Sequence, residues 1–140
     1  MNNKNSESDS VLNNVPEIEG YRVLDPCVIY ERLGQGGMGT VYRGRHLNLN
    51  IDVAVKCLLP ALAATDSGLV ARFEREARIA ASINNENLIR VFDVDSKHGI
   101  NYLVMEYVRG ESAGQRIARK GRLSSGEAAK IIMGAAKGLA

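Results

Sequence analysis

Residues 33–44 read LGQGGMGTVYRG, a glycine-rich stretch that leads into β-branched and aromatic residues. Gly34, Gly36 and Gly39 have the spacing G-x-G-x-x-G, which is typical of a hairpin turn as well as of a phosphate-binding loop. The following residues 40–43 (TVYR) predict a strand, whereas a dinucleotide-binding loop continues into a helix. No Gly-Lys-Ser/Thr follows, which excludes a Walker A loop. A glycine loop between two antiparallel strands remains, and its backbone N–H groups can approach phosphates closely.

Short β-like runs separated by turns surround this loop. They lie at 28–33, 40–45, 53–58, 88–94 and 100–108. The first three follow one another too closely for helical crossovers, which predicts antiparallel neighbours. One main helix is predicted from Asp66 or Ser67 to about residue 83, and shorter helices begin near Ser112 and at a capping box that starts at Ser124. The pattern predicts an α+β fold with a five-stranded antiparallel sheet, one main helix and further helices after it.

A charged residue lies inside the third run, which reads VAVKC at residues 53–57. Alternation along a strand places Ala54 and Lys56 on one face and the other three residues on the opposite face. A small residue beside a cation suits a purine next to phosphates, and a solvated lysine on a half-exposed strand is the alternative interpretation. Glu76 on the main helix allows two interpretations as well, an inward ion pair with Lys56 or a surface pair with Arg72.

The combination resembles the protein kinase family, whose members carry a glycine loop followed by Val, then V-A-I-K on a strand and a Glu on a helix. Residues 33–44 and 73–78 (FEREAR) look like those of bacterial, eukaryotic-like serine/threonine kinases. Residues 102–108 (YLVMEYV) are similar to the fifth strand and hinge of the family. The resemblance covers about 28–140 and implies a kinase-like N-lobe followed by the first helices of a truncated C-lobe.

The same resemblance implies which residues form the site. Lys56 and Glu76 would be the catalytic ion pair. The residues implied to contact ATP are Leu33, Gly34, Gln35, Gly36, Gly37, Met38, Gly39, Thr40, Val41, Ala54, Lys56, Met105, Glu106 and Val108. The purine would be enclosed by Leu33, Val41 and Ala54. Met105 would be the gatekeeper, and the backbone of Glu106 and Val108 would bind adenine.

Domain boundaries follow from composition and from the resemblance. Residues 1–20 are rich in Asn and Ser and are predicted to be disordered. Residues 21–140 would be the kinase domain, with the N-lobe at about 28–108, the hinge at about 106–111 and an incomplete C-lobe at 112–140.

The sequence departs from the family in what is missing. H-R-D-x-x-x-x-N and D-F-G would supply the catalytic Asp and the magnesium ligands, and neither motif is present: His46 and His98 do not fit, and Phe92-Asp93 lies in a predicted strand. Both motifs are expected after the helix that starts near Ser124. We therefore predict a truncated chain without metal ligands that binds ATP weakly at best and is inactive alone. Mg²⁺ and a protein Ser/Thr substrate are expected of the full-length kinase.

Composition excludes several other classes. The net charge of +2 comes without a dense basic stripe, so nucleic-acid binding is not expected. Cys27 and Cys57 have no partners at ligand spacing, which leaves a zinc site or disulfide framework unsupported. No signal peptide and no membrane-spanning run is recognised, so a cytoplasmic location is expected. An apolar stripe on the last helix predicts self-association.

Two alternatives stay open. The chain can be a free-standing kinase-like lobe that acts as a regulatory or interaction module, in which case Lys56 would be dispensable. A non-kinase nucleotide binder would require that Lys56 and Glu76 are accidental neighbours.

Overall fold

Seven strands and four helices make up residues 10–140, the part of the chain described in this computed structural model. A 3-10 helix at Ser10–Leu12 comes first. The strands are β1 (Glu17–Ile18), β2 (Tyr21–Leu24), β3 (Cys27–Gln35), β4 (Gly39–His46), β5 (Ile51–Leu58), β6 (Val91–Lys97) and β7 (Ile100–Glu106). The helices are α1 (Pro60–Thr65), α2 (Ser67–Ser82), α3 (Ala113–Lys120) and α4 (Ser125–Leu139).

The chain divides into two compact units. The first unit runs to Ile83 and resumes at Arg90–Tyr107, so it holds the whole sheet with α1 and α2. The second unit consists of Asn84–Ile89 and Val108–Ala140, with α3 and α4.

The sheet of the first unit is antiparallel throughout, in the order β1-β2-β3-β4-β5-β7-β6. The predicted α+β class is confirmed, with the five expected strands present and two short N-terminal strands added to them. The sheet curls, so that the Lys97 ammonium on β6 donates a hydrogen bond to the backbone carbonyl of Asp25 between β2 and β3. The strand expected at 88–94 begins only at Val91, since Asn85 first accepts hydrogen bonds from Asn87 and Leu88 in a turn.

The prediction that residues 1–20 are disordered is wrong for residues 10–20; residues 1–9 lie outside the described part. Val11, Leu12 and Val15 are buried in the core of the first unit, with Val15 only 1% exposed. The prediction relied on the average composition of residues 1–20, which is dominated by Asn and Ser, and so overlooked these three apolar residues. Burying each of them is worth about 1.5–3 kcal/mol, comparable to the cost of ordering one or two residues. Gly20, with φ of 84°, then closes the tight turn between β1 and β2.

The sheet has two covered faces. Val53, Val55 and Cys57 of β5 are fully buried on one face, where the N-terminal segment 10–15 completes the core. On the other face α2 packs through Leu69 and Phe73 against a cluster that includes Leu58. Helix α2 starts where the sequence predicted, and the side chain of Asp66 caps it by accepting a hydrogen bond from the backbone N–H of Leu69 at 3.1 Å.

The thiol of Cys27 lies in the first core, and burial, aided by the nearby carboxylates Asp93 and Asp25, raises its pKa to about 11. Because the thiolate is the reactive species, we expect alkylation of the native protein at pH 8 to be at least about a hundredfold slower than in urea. Mass spectrometry of iodoacetamide-treated samples measures this. Rapid, stoichiometric labelling of Cys27 in the folded protein would contradict the expected burial.

In the second unit both helices begin with capping boxes, Ser112 with Gln115 and Ser124 with Glu127, the second of which the sequence predicted. Glu111 accepts hydrogen bonds from Arg119 and Arg116, which lower its pKa to about 2. The amide of Asn85 donates to the backbone carbonyl of Lys137 at 3.1 Å, so the end of α4 is tied to the loop at Asn84–Ile89.

Candidate functional site

Strand β5 carries the two residues that the sequence placed on one face. Register pairs Lys56 with Val41 of β4 and Leu103 of β7, and pairs Ala54 with Arg43 and Met105 in the neighbouring row. Residues directly opposite each other in an antiparallel sheet share a face. Four predicted site residues, Val41, Ala54, Lys56 and Met105, are therefore brought together on one face. Ala54 is buried and Lys56 is half-buried there.

The glycine loop closes the hairpin between β3 and β4. Gln35 and Thr40 form the last residue pair, and the N–H of Gly36 donates to the carbonyl of Gly39 at 2.9 Å. The carbonyl of Met38 accepts a hydrogen bond from the N–H of Leu59 at 2.9 Å, which holds the tip of the loop near the end of β5. The side chain of Thr40 is buried, so at this position only the backbone is available to a ligand.

Two different structural constraints account for the glycines of this loop. A Cβ at Gly34, Gly36 or Gly37 would meet no atom within 4 Å. A Cβ at Gly39 would overlap the backbone carbonyl oxygen of Cys57 on the neighbouring strand. The first three glycines therefore leave space open in front of the loop, whereas Gly39 is required by the packing of β4 against β5.

We expect Gly39→Ala to lower the free energy of unfolding by about 1–3 kcal/mol, because a backbone carbonyl cannot turn away as a side chain can. Gly36→Ala is the matched control and should change stability by less than about 0.5 kcal/mol, since its methyl group enters open space. Urea denaturation of both variants measures the difference. Equal stability of the two variants would show that β4 and β5 do not approach as closely as described.

The expected ion pair between Lys56 and Glu76 is not formed in the structure. Glu76 is exposed on α2, and no ion pair within residues 10–140 joins it to Lys56. The surface pair with Arg72 is not formed either. The intrahelical pair is instead Glu74 with Arg78 at 3.2 Å. The role of Glu76 therefore stays a prediction, and Lys56 is placed on the site face by its strand alone.

The end of β7 carries the predicted adenine-binding backbone. The N–H of Glu106 donates to the carbonyl of Arg90 at 2.8 Å, and its carboxylate accepts a hydrogen bond from the N–H of Arg90 at 3.2 Å. Because this N–H is occupied, only the carbonyl of Glu106 is left to meet a ligand. Val108 is exposed and belongs to the second unit. Leu33 is exposed at an irregularity of β3.

Sequence reasoning missed one arrangement on the site face. The guanidinium of Arg43 lies 5.7 Å from the ring centroid of Tyr30 and 5.7 Å from that of Tyr107. Arg43 also donates to the carboxylate of Glu31 at 3.0 Å. Nothing in the sequence connects Tyr30 to Tyr107, because they lie far apart in the chain. The curled sheet brings both rings near the same guanidinium.

Within residues 10–140 no group of three or more His, Cys, Asp or Glu side chains is placed to hold a metal ion. None of the helices in this same range combines the length and the apolar character that crossing a membrane requires.

Comparison with known proteins gives a consistent result. The family model described as protein kinase domain matches residues 27–140. A probable serine/threonine-protein kinase of Clostridium perfringens is 40% identical over 107 residues, which are 76% of this chain and 16% of that protein. Serine/threonine-protein kinase PrkC of Bacillus subtilis is 34% identical over 113 residues, 81% of this chain and 17% of that protein.

Among solved structures, the PknI kinase domain of Mycobacterium tuberculosis (a double mutant) superimposes with a TM-score of 0.73 at 29% identity. The match covers 86% of this chain and 48% of that chain. The chain thus spans about a sixth of the length of the two curated relatives and about half of the solved domain.

Proposed function

The chain belongs to the protein kinase domain family, and on that premise we propose that it forms the ATP-binding part of a serine/threonine kinase. The proposed reaction transfers the γ-phosphoryl group of ATP to a serine or threonine hydroxyl of a protein substrate. Within the chain, we assign the N-lobe to about 28–108, the hinge to about 106–111 and the beginning of the C-lobe to 112–140. The division of the chain after Tyr107 supports this boundary.

One observation carries the proposal: two adjacent rows of paired residues place Ala54 and Lys56 side by side on the face that also holds Val41 and Met105. Ala54 presents only a methyl group on this face, so a flat purine could lie closer to β5 there than against a larger side chain. Lys56 lies one row closer to the glycine loop. A nucleotide whose base lies against Ala54 would therefore direct its phosphates toward the Lys56 ammonium.

The loop fits the phosphates of such a nucleotide. The open space in front of Gly34, Gly36 and Gly37 lets the backbone approach anionic oxygens without a Cβ in the way. The Lys56 ammonium would neutralise part of the phosphate charge and hold the chain of phosphates in line. Magnesium would add charge neutralisation when bound.

A second candidate function is a regulatory module that binds a partner through α4. The observation that favours it is the exposure of apolar side chains on this helix, among them Ile132 and Leu139, the latter 87% exposed. Association through α4 stays a prediction. The two functions differ in their dependence on Lys56, which a docking helix would not need.

The proposal is tested by titrating ATP into the natural polypeptide that contains residues 1–140, with and without Mg²⁺, by isothermal titration calorimetry. We expect saturable binding that adenosine and tripolyphosphate each inhibit, because the proposed site has a base-binding part and a phosphate-binding part. Absence of ATP binding in both conditions would rule out the ATP site and favour the regulatory module.

A further inference from the structure

From the cation–aromatic cluster of Tyr30, Arg43 and Tyr107, we infer that Arg43 is a positioning residue for the adenine-binding end of β7. This inference rests on the proposed ATP site. It assigns to Arg43 a role in binding the base, distinct from the role of Lys56 in binding the phosphates.

The end of β7 needs such a contact because the sheet stops supporting it there. The last strand residue is Glu106, and Tyr107 follows it outside the ladder of hydrogen bonds. Tyr107 is nevertheless half-buried, and the Arg43 guanidinium lies 5.7 Å from its ring centroid. Tyr107 directly follows Glu106, whose backbone carbonyl is proposed to meet adenine, so a contact that holds its ring helps to hold that carbonyl.

Arg43 is itself held in place without any ligand. Its guanidinium also lies 5.7 Å from the Tyr30 ring centroid and donates to the carboxylate of Glu31 at 3.0 Å. The Tyr30 ring is in turn in edge-to-face contact with Tyr21, with centroids 5.6 Å apart. A guanidinium within about 6 Å of two aromatic ring centroids is attracted to both rings, and arginine makes such contacts more often than lysine does.

Burial supports the same interpretation. The Nε atom of Arg43 is buried and has no hydrogen-bond partner among residues 10–140. A guanidinium that served only a surface ion pair would keep this N–H in water. Its burial, with two aromatic rings near the same guanidinium, favours the ring contacts over the Glu31 pair as what positions the side chain.

The pairing register of the sheet links the cluster around Arg43 to the proposed position of the adenine base. Arg43 is paired with Ala54, and Ala54 with Met105, so all three lie in one row across β4, β5 and β7. The contacts of Arg43 with the two tyrosines therefore connect the β3–β4 hairpin, which carries the glycine loop, to the end of β7 that would bind adenine. Loss of the guanidinium should loosen Tyr107 while leaving Lys56 and the loop in place.

We propose to test this with Arg43→Met in the natural polypeptide, using adenosine and tripolyphosphate as separate probes in competition with ATP. We expect about three- to tenfold weaker binding of ATP and adenosine, the size of one lost cation–aromatic contact, and unchanged tripolyphosphate binding. Arg43→Lys should restore part of the loss. Tyr107→Leu should weaken adenosine binding similarly, and adding Arg43→Met to it should cause little further loss.

Arg45→Met is the matched control. Arg45 lies two residues along the same strand, forms an ion pair with Asp52 at 3.0 Å and is 32% exposed, against 3.0 Å and 36% for Arg43 with Glu31. It has no ring contact among those described for residues 10–140. We expect its adenosine affinity to stay within about twofold of wild type, as is usual for a surface ion pair.

The outcomes separate the inference from the function on which it rests. If the wild-type protein binds ATP but Arg43→Met leaves adenosine affinity unchanged, the inference about Arg43 is wrong and the ATP site stands. The inference is wrong as well if Arg43→Met weakens tripolyphosphate as much as adenosine, or if Arg45→Met has the same effect. If the wild-type protein binds neither ATP nor adenosine, the ATP site and the role of Arg43 fail together.

Discussion

Lys56→Met is expected to reduce phosphoryl transfer by the natural polypeptide about 10²–10³-fold, the effect of removing one charged group that stabilises developing charge. The ammonium is the one cation that β5 places on the site face, next to Ala54 and below the glycine loop. Tripolyphosphate binding should weaken strongly, while adenosine binding should change little. A radiometric transfer assay and competition titrations measure these effects.

Stability should be almost unaffected by this substitution, and the reason is specific to the structure. When one member of a buried ion pair is removed, the remaining charge is left without compensation, which destabilises the fold. Here Lys56 forms no ion pair with Glu76, so Lys56→Met leaves no orphaned carboxylate on α2. A melting temperature close to that of wild type, together with lost transfer, would locate the defect in the site.

Lys130→Met on the exposed surface of α4 is the control for a lost lysine charge and should leave transfer unchanged. If Lys56→Met were to transfer phosphate at the wild-type rate, the kinase proposal would be wrong. The regulatory module, in which Lys56 has no task, would then be the better explanation.

The second large effect is expected from the N-terminal segment. Removing residues 1–16 should abolish cooperative folding, because Val11, Leu12 and Val15 cover the core that contains Val53, Val55 and Tyr102. Loss of three buried side chains at about 1.5–3 kcal/mol each approaches the whole stability of a typical domain, about 5–15 kcal/mol. Circular dichroism during urea denaturation measures the loss. A fragment that begins at residue 27, where the family match starts, would have the same defect.

A milder variant keeps this prediction testable if the truncated chain cannot be purified. Leu12→Ala should lower the free energy of unfolding by about 2–5 kcal/mol, as is usual for a buried leucine. Leu47→Ala is its control, since that leucine is 54% exposed in the turn after β4 and should change stability by less than about 0.5 kcal/mol. Equal effects of the two substitutions would mean that the segment does not cover the core.

Much of the fold could be predicted from local patterns. Strands β3, β4 and β5 were recognised from β-branched runs broken by glycines, and α2 from apolar residues at helical spacing after a cap at Asp66 or Ser67. The shared face of Ala54 and Lys56 followed from alternation along one strand. Each of these features depends on interactions between residues close together in the chain, so the sequence reports them directly.

Other features depend on residues that are distant in sequence. The order of the strands, with β7 between β5 and β6, depends on the pairing of β5 with a strand more than forty residues away in sequence. The short strands β1 and β2 were missed because their few residues gain stability only from pairing with β3 and from the core beneath them.

By itself, the sequence determined that this chain has an antiparallel sheet with a glycine loop and a lysine on one face. The two-residue period of strands and the spacing of the glycines are local patterns that report these features. Only the tertiary structure decided that Val11, Leu12 and Val15 belong to the core and that the Arg43 guanidinium lies 5.7 Å from the ring centroids of both Tyr30 and Tyr107. The physical reason is that burial and side-chain contacts are set by where the curled sheet brings distant segments together, which no local pattern of residues records.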